Sequence, residues 1–176
     1  MYTDTRSGPV PILSSAISSA NTTMSQTITS PSNSAATEAP PQQVVERMQA
    51  IVGAENVLTT LADRTVYECD GYTLAKTRPD VVVFPQSTEQ IVAIVRACRE
   101  LNLPFLPRGA GTSLAGGCVP VGGGVLIALA RMKRILEINI RDRYAVVEPG
   151  VVNVWLTNAL KPFGYHYAPD TYSQGA

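Results

Sequence analysis

The sequence is poor in the residues that most often carry chemistry at a protein site. Its 176 residues include one histidine, one tryptophan and three cysteines. Cys69, Cys98 and Cys118 form no CxxC pair, and their odd number disfavours both a disulfide framework and a zinc site. No cluster of histidine, aspartate and glutamate has metal-ligand spacing. We therefore expect no metal centre, and we interpret Cys98 as a small core residue on a helix face.

Excess charge and long apolar runs are missing as well. Fourteen basic and fourteen acidic residues balance to a formal net charge of zero. Binding to a phosphate backbone needs clustered cations, so nucleic acid is not an expected partner. No stretch reaches the roughly 18 continuous apolar residues of a membrane-spanning helix. The sequence predicts a soluble protein without a transmembrane segment, at most peripheral to a membrane.

The first forty residues are rich in serine, threonine, alanine and proline and have little charge. Such a segment buries too little apolar surface to offset the entropy lost on ordering, so we predict a disordered tail over residues 1–40. A secretory signal would need a basic start and an apolar core, and a mitochondrial transit peptide would need more arginines than Arg6. A variable extension is the preferred interpretation, and a true start at Met24 is the alternative.

An amino-terminal helical segment is predicted over residues 41–77. Gly53 supplies a helix stop, a short helical or irregular piece follows around residues 61–67, and Asp70-Gly71-Tyr72 signals a turn. The first helix has one apolar face, formed by Val44, Val45, Met48, Ile51 and Val52.

Residues 78–107 predict a strand, a helix and a second strand. The first strand is an apolar run between two prolines, a pattern typical of a buried strand. Ser87 is the expected helix N-cap, with Gln90 at the third helical position. The helix should end near Asn102 and Pro104, and a short strand at 105–107 follows. This unit requires two parallel strands joined by a right-handed crossover.

A glycine-rich stretch, residues 107–117, leaves the carboxyl end of that second strand, where open α/β sheets place ligands. Its glycines let backbone N–H groups approach one anion. Arg108 would add a cationic fork, and Thr112 and Ser113 would add hydroxyl donors. The stretch has neither the P-loop ending nor the Rossmann glycine spacing. A phosphate-binding loop and a surface loop with an incidental arginine both remain open from these residues alone.

A glycine turn at residues 122–124 is predicted to lead into a strand at residues 125–129. Two further strands are predicted at residues 135–138 and 144–148, with a polar turn between them. A helix should then run from Pro149-Gly150 to Leu160. This mixed order of strands and helices predicts an α+β fold with mixed sheets. His166 is interpreted as a partly buried structural residue.

Five short motifs follow one another along the chain: Tyr67-Glu68-Cys69-Asp70-Gly71, Arg78-Pro79, Pro107-Arg108-Gly109-Ala110-Gly111-Thr112, Glu148-Pro149-Gly150-Val151 and Tyr167-Ala168-Pro169-Asp170. With these motifs in this order, the segment from residue 78 to residue 174 resembles the first half of the flavin domain of FAD-linked oxidases of the vanillyl-alcohol oxidase/PCMH type. Within that family it looks most like the branch that holds D-lactate dehydrogenase and the flavin-binding polypeptide of glycolate oxidase. The resemblance implies a PCMH-type FAD-binding domain over residues 78–176, with an amino-terminal βαβ subdomain and the start of a second mixed-sheet subdomain.

The resemblance also implies which residues contact the cofactor. Gly150 would let the backbone approach the flavin, or would simply permit a tight entry into the following helix. Thr112 stands where relatives with covalent FAD often carry a histidine, so the resemblance implies non-covalent FAD. The residues expected to hold the pyrophosphate or line the site are Arg108, Gly109, Ala110, Gly111, Thr112, Ser113, Gly116, Gly117, Gly150 and Pro169.

In the resembled family, FAD takes electrons from a 2-hydroxy acid such as glycolate or D-lactate and yields the 2-oxo acid. This sequence stops before the family's second, Gly-Asn-rich loop, and Thr171 and Tyr172 stand where Pro-Ser is usual. We therefore expect a fragment without the substrate domain, located in the cytoplasm or peripheral to the inner membrane.

The other polypeptides of a glycolate oxidase complex are candidate partners by the same resemblance. The alternatives are an inactive FAD-binding or assembly fragment and a reductase on the same flavin fold, such as the cell-wall UDP-sugar reductases. The amino-acid sequence of residues 108–117 disfavours the reductase.

Overall fold

The computed structural model describes residues 39–169 and residue 175. Residues 1–38 of the predicted disordered tail lie outside this part of the chain, as do Thr171 and Tyr172. The helices are α1 (Gln42–Val52), α2 (Leu61–Thr65), α3 (Thr88–Glu100) and α4 (Asn153–Leu160). The strands are β1 (Val57–Leu58), β2 (Val81–Val83), β3 (Phe105–Arg108), β4 (Val125–Ala128), β5 (Ile135–Asn139) and β6 (Tyr144–Val147).

Four strands form a mixed sheet in the order β1-β2-β4-β3. Strand β1 is antiparallel to β2, whereas β4 is parallel to both β2 and β3. The predicted parallel direction of β2 and β3 is confirmed, but the two strands are not neighbours, because β4 lies between them. All four β4 residues are buried, and a strand buried on both faces belongs inside a sheet.

The core lies mainly between this sheet and helices α1 and α3. One sheet face contributes Val81, Val83, Val125 and Ile127 to a buried cluster with both helices. The opposite face is smaller and is covered in part by Leu58, Tyr67 and Phe84 around Val82 and Leu126. The predicted apolar face of α1 is confirmed, and Cys98 is fully buried, where burial raises the pKa of its thiol.

The start of α3 follows its sequence signal closely. Ser87 is the N-cap, and its Oγ accepts a hydrogen bond from the Gln90 backbone N–H at 3.3 Å. The Gln90 side chain turns back to accept from the N–H of Gln86 at 2.7 Å, one residue earlier than in a standard capping box. These two bonds satisfy N–H groups that have no partner inside the helix.

A glycine turn joins the amino ends of β2, β3 and β4. The Gly124 N–H donates to Asp80 Oδ2 at 2.6 Å, and the Asp80 N–H donates to the Gly124 carbonyl at 2.8 Å. Gly124 has φ of +83°, and a Cβ atom there would collide with the Pro104 carbonyl oxygen. The turn therefore fixes the register that brings the carboxyl end of β3 beside β4.

Strands β5 and β6 form a separate antiparallel hairpin, with an irregularity in the register between Ile135 and Glu137. Its turn is closed by the Asn139 side chain, which accepts from the Asp142 N–H at 2.9 Å. Helix α4 begins at Asn153 and not at Pro149-Gly150 as predicted. The reason is that Gly150 is bound elsewhere, since its N–H donates to the Met132 carbonyl at 2.8 Å.

Within the described residues, no helix has the length and apolar character needed to cross a lipid bilayer.

Candidate functional site

The glycine-rich loop begins where β3 ends at Arg108. It lies at the carboxyl edge of two parallel strand pairs, as predicted from its position after the strand. Gly109, Ala110 and Thr112 are exposed, while Gly111 and Ser113 are partly buried. The loop is thus an accessible surface at the sheet edge where ligands bind in open α/β folds.

Five consecutive N–H groups of this loop have no acceptor among the described residues. No hydrogen bond is donated there by the backbone N–H of Ala110, Gly111, Thr112, Ser113 or Leu114. Gly111 has φ of +74°, the left-handed conformation that alternates with ordinary backbone in anion-binding loops. Such N–H groups are satisfied by water or by an anion, and phosphate oxygens are suitable acceptors.

Arg108 has a different position from the one the sequence suggested. Its side chain is buried, with 8% of the residue exposed, and Nη1 donates to the Cys69 carbonyl at 2.7 Å. The guanidinium carbon lies 5.4 Å from the centre of the Tyr67 ring. A Cβ atom at Gly111 would collide with this guanidinium. The buried Arg108 side chain therefore packs against the inner side of the glycine loop. Residue 111 must be a glycine, because any side chain there would collide with the guanidinium.

The segment before β2 also supports the loop. Asp70 is buried, and its carboxylate accepts from the N–H groups of Tyr72 at 2.9 Å and Cys118 at 3.4 Å. A Cβ atom at Gly71 would lie 2.9 Å from the Ser113 carbonyl oxygen. Residues 67–72 are therefore a packing segment, and their contacts hold both ends of the glycine loop.

A cleft of about 150 Å³ separates the glycine loop from the turn before α4. Pockets for a whole drug-sized ligand measure about 300 to 1,000 Å³, so this cleft suits one part of a larger molecule. The glycine loop supplies Gly109 and Ala110 to its wall. The remaining lining residues are Ala130, Lys133, Pro149, Gly150, Val151, Val152 and Trp155.

Gly150 forms the opposite wall of this cleft through its backbone. A Cβ atom there would collide with the Leu129 carbonyl oxygen and would lie 2.7 Å from that of Met132. The missing side chain thus allows two backbone segments of the protein to meet. Both sequence interpretations of Gly150 concern a close approach, and the protein contact alone is sufficient to require a glycine.

The turn that carries Gly150 is held by an ion pair. Glu148 is 6% exposed, and its Oε1 accepts from Arg134 Nε at 2.9 Å and from Nη2 at 2.7 Å. Its Oε2 accepts from the Arg134 N–H at 2.7 Å. The hydrogen bonds from Arg134 hold the pKa of the Glu148 carboxyl below its usual range, and those with Glu148 raise the pKa of Arg134. The charged carboxylate therefore fixes the cleft's second wall.

The remaining predicted site residues are more scattered. Five predicted residues belong to the loop but do not line this cleft, namely Gly111, Thr112, Ser113, Gly116 and Gly117. The Ser113 Oγ accepts from the Ala115 N–H at 3.2 Å, which shapes the loop locally. Pro169 is exposed and also lies outside the cleft.

The sequence reasoning missed Lys133 and did not assign Trp155 to the site. Both depend on the fold of residues 129–155, and neither stands in a glycine motif.

A larger groove of about 450 Å³ lies on the β5–β6 hairpin and α4. Residues 165–168 form one side of it, including His166. The prediction that His166 is partly buried is wrong, because the residue is exposed. In the part of the chain that the structure describes, no three histidine, cysteine, aspartate or glutamate side chains are grouped as metal ligands.

The loop, the unpaired N–H groups and the cleft are features of a domain that binds a nucleotide-like cofactor. A family model described as "FAD binding domain" matches residues 79–176, more than half of the chain. The chain belongs to this FAD-binding family. The PCMH-type resemblance, the α+β fold with mixed sheets and the FAD cofactor class are thereby confirmed.

Within this class, the chain is similar to several individual proteins. The chain is 46% identical over 118 residues to glycolate oxidase subunit GlcD of Escherichia coli K12, a match covering 67% of this chain and 24% of the relative. It is 32% identical over 133 residues to the mitochondrial D-lactate dehydrogenase [cytochrome] of Arabidopsis thaliana, covering 74% and 23%. The chain thus spans about a quarter of the length of these relatives.

Solved structures share the same fold. A crystal structure of p-cresol methylhydroxylase with bound substrate superposes with a TM-score of 0.62 at 26% identity. The superposition covers 69% of this chain and 24% of that enzyme. This chain therefore has the fold of part of a PCMH-type flavin domain.

Proposed function

We propose that the glycine loop and the cleft beside it hold the pyrophosphate of FAD. The main observation is the run of five N–H groups, from Ala110 to Leu114, that have no acceptor within the described residues. Ala110 lines the cleft, and the other four continue along the loop beside it. Two phosphate groups present several strong acceptor oxygens and fit this donor set. The cleft volume suits a pyrophosphate and not the whole cofactor, so the flavin and adenine rings extend beyond it.

The site residues then have four roles. Gly109 to Ser113 supply N–H and hydroxyl donors on the loop, and the backbone at Gly150 closes the opposite side. Gly116, Gly117 and Pro169 extend the surface along which the rest of the cofactor lies. Arg108 acts through the loop, because its guanidinium is bonded to Cys69 and stacked near Tyr67.

The cofactor is held without a covalent bond in this proposal. Thr112 stands at the position that the family resemblance assigns to the attaching histidine. Denaturation of the flavin complex with acid should therefore release all of its yellow colour into the supernatant.

The whole protein that contains this domain is proposed to oxidise a 2-hydroxy acid to the 2-oxo acid. This follows from the relatives' names, glycolate oxidase and D-lactate dehydrogenase. When bound, FAD supplies the two-electron acceptor for that reaction. The residues described here bind and orient it, and a partner polypeptide, as the name of GlcD suggests, is part of the same proposal.

A fluorescence titration tests the cofactor site. Trp155 is the single tryptophan of the sequence, it lines the cleft, and it is 43% exposed. Bound FAD should quench its emission, and the quenching should saturate. Gly109→Val should abolish saturation without unfolding the chain, because a Cβ atom at Gly109 meets nothing within 4 Å and would reach into open space at the loop.

Ala115→Val is the matched control for that variant. It adds similar bulk to the same loop at an exposed position outside the cleft. The control should bind FAD like the unaltered chain. Equal affinity in all three proteins would contradict the proposed site, and a folded parent chain that does not bind FAD would contradict the proposed function.

A further inference from the structure

The cleft beside the glycine loop has one charged lining residue, Lys133, among the residues that the structure describes. Its other lining residues are glycine, alanine, proline, valine and tryptophan. A pyrophosphate diester carries two negative charges. A cation beside it adds Coulomb attraction between opposite charges to the hydrogen bonds that neutral N–H groups supply.

Arg108, the cation that the sequence motif offers, does not line the cleft. It is buried, and its Nη1 donates to the Cys69 carbonyl. Moving the guanidinium into the cleft would break that bond and would remove the support beneath Gly111. Lys133, which lines the cleft itself, is therefore the better placed cation for charge compensation there.

Two other cations close to Lys133 in sequence are also engaged. The Arg131 guanidinium carbon lies 5.1 Å from the centre of the Phe84 ring. Arg134 forms the two-point ion pair with Glu148. Lys133 takes part in none of the ion pairs among the described residues, and its side chain is exposed. Its ammonium group is available to a ligand.

The backbone around Lys133 is fixed on both sides. The Met132 N–H donates to the Leu129 carbonyl at 3.0 Å, and the Met132 carbonyl accepts from Gly150 at 2.8 Å. On the other side, Arg134 exchanges backbone and side-chain hydrogen bonds with Glu148. The Lys133 side chain therefore starts from a defined point at the cleft, which reduces the entropy lost when it binds.

We propose that Lys133 is the cation that neutralises the FAD pyrophosphate in this cleft, while Arg108 shapes the loop. The proposal rests on the proposed function, because it assigns a residue within the same site. It places positive charge on the wall opposite the glycine loop, so the pyrophosphate is held between backbone N–H groups on one side and an ammonium group on the other.

The test measures the FAD dissociation constant of the whole chain as a function of NaCl concentration. Lys133→Gln should weaken binding roughly tenfold at low salt, the loss typical of a hydrogen bond to a charged group. It should also flatten the salt dependence, because fewer charges are then screened. Lys133→Arg should restore most of both. Lys161→Gln, which removes an exposed lysine outside the cleft, should change neither.

The possible results distinguish the role of Lys133 from the proposed FAD-binding function. Saturable FAD binding by the parent chain, with Lys133→Gln and Lys161→Gln indistinguishable from it, would overturn the role of Lys133 and leave the proposed function standing. A parent chain whose FAD affinity has no salt dependence would overturn that role without any variant. A folded parent chain that does not bind FAD would overturn both.

Discussion

The two sheets formed by the described residues both contain mainly apolar side chains but are buried very differently. Every residue of β2 and β4 is buried, whereas no residue of β5 or β6 is. Helices α1 and α3 cover one face of the first sheet, whereas α4 and the second sheet line an open groove between them. The comparison teaches that an apolar run predicts a strand, while burial depends on which layers pack against it.

The cleft lies at the junction of these two regions. Its glycine-loop wall continues directly from β3 of the well-packed sheet, and its opposite wall follows β6 of the exposed hairpin. The first wall is supported by an apolar core and a buried arginine. The second is supported by the Glu148–Arg134 pair, so the two halves of the site depend on different forces.

The largest expected change in the free energy of unfolding comes from shortening a buried side chain in the core next to the first sheet. Met48 is fully buried, so Met48→Ala should lower the free energy of unfolding by roughly 2–5 kcal/mol. Leu136 in β5 is 56% exposed, so Leu136→Ala should change it by less than about 0.5 kcal/mol. Urea unfolding followed by circular dichroism measures both. Similar losses for the two variants would break the comparison between the sheets.

A smaller, pH-dependent contribution to stability should come from the Glu148–Arg134 ion pair, which supports the cleft wall opposite the glycine loop. The pKa of Glu148 is lowered in the folded chain, so its charge stabilises the fold above the unfolded pKa of about 4.3. That contribution is lost as pH falls through the lower folded value. The melting temperature of the parent chain should therefore fall more steeply below pH 5 than that of Glu148→Gln.

Glu89 at the start of α3 also has a lowered pKa, mainly because of a hydrogen bond with its own backbone, and it interacts with Arg134. It is present in both proteins, so the difference between their pH profiles reports the Glu148–Arg134 pair together with its coupling to Glu89. Parallel profiles from pH 7 to pH 3 would show that the pair contributes nothing that depends on its charge, and the second wall would then need another explanation.

Local signals in the sequence predicted the elements of the first region well. The proline-bounded strand, the Ser87 cap and the glycine turn at 122–124 each act over a few residues, and the structure confirms each of them. The insertion of β4 between β2 and β3 was not predicted, because strand order depends on pairing between segments distant in the chain.

The sequence predicted the glycine loop of the site but not the positions of the charged side chains around it. The direction of Arg108 depends on Cys69, 39 residues earlier, whose carbonyl accepts its hydrogen bond. Lys133 reaches the cleft because the turn at Gly150 folds back on residues 129–132. Neither contact has a local sequence signal. Glycine motifs therefore located the site, while the fold determined which cation lines it.

The most direct test of the account is the response of individual loop amides to FAD. In ¹H–¹⁵N correlation spectra of the full chain, FAD should shift the amide signals of Ala110, Gly111 and Thr112 strongly and in a saturable way. The proton shifts should move downfield, as expected for new hydrogen bonds to phosphate oxygens. Saturable FAD binding that leaves these three signals unmoved would contradict the placement of the pyrophosphate at the glycine loop.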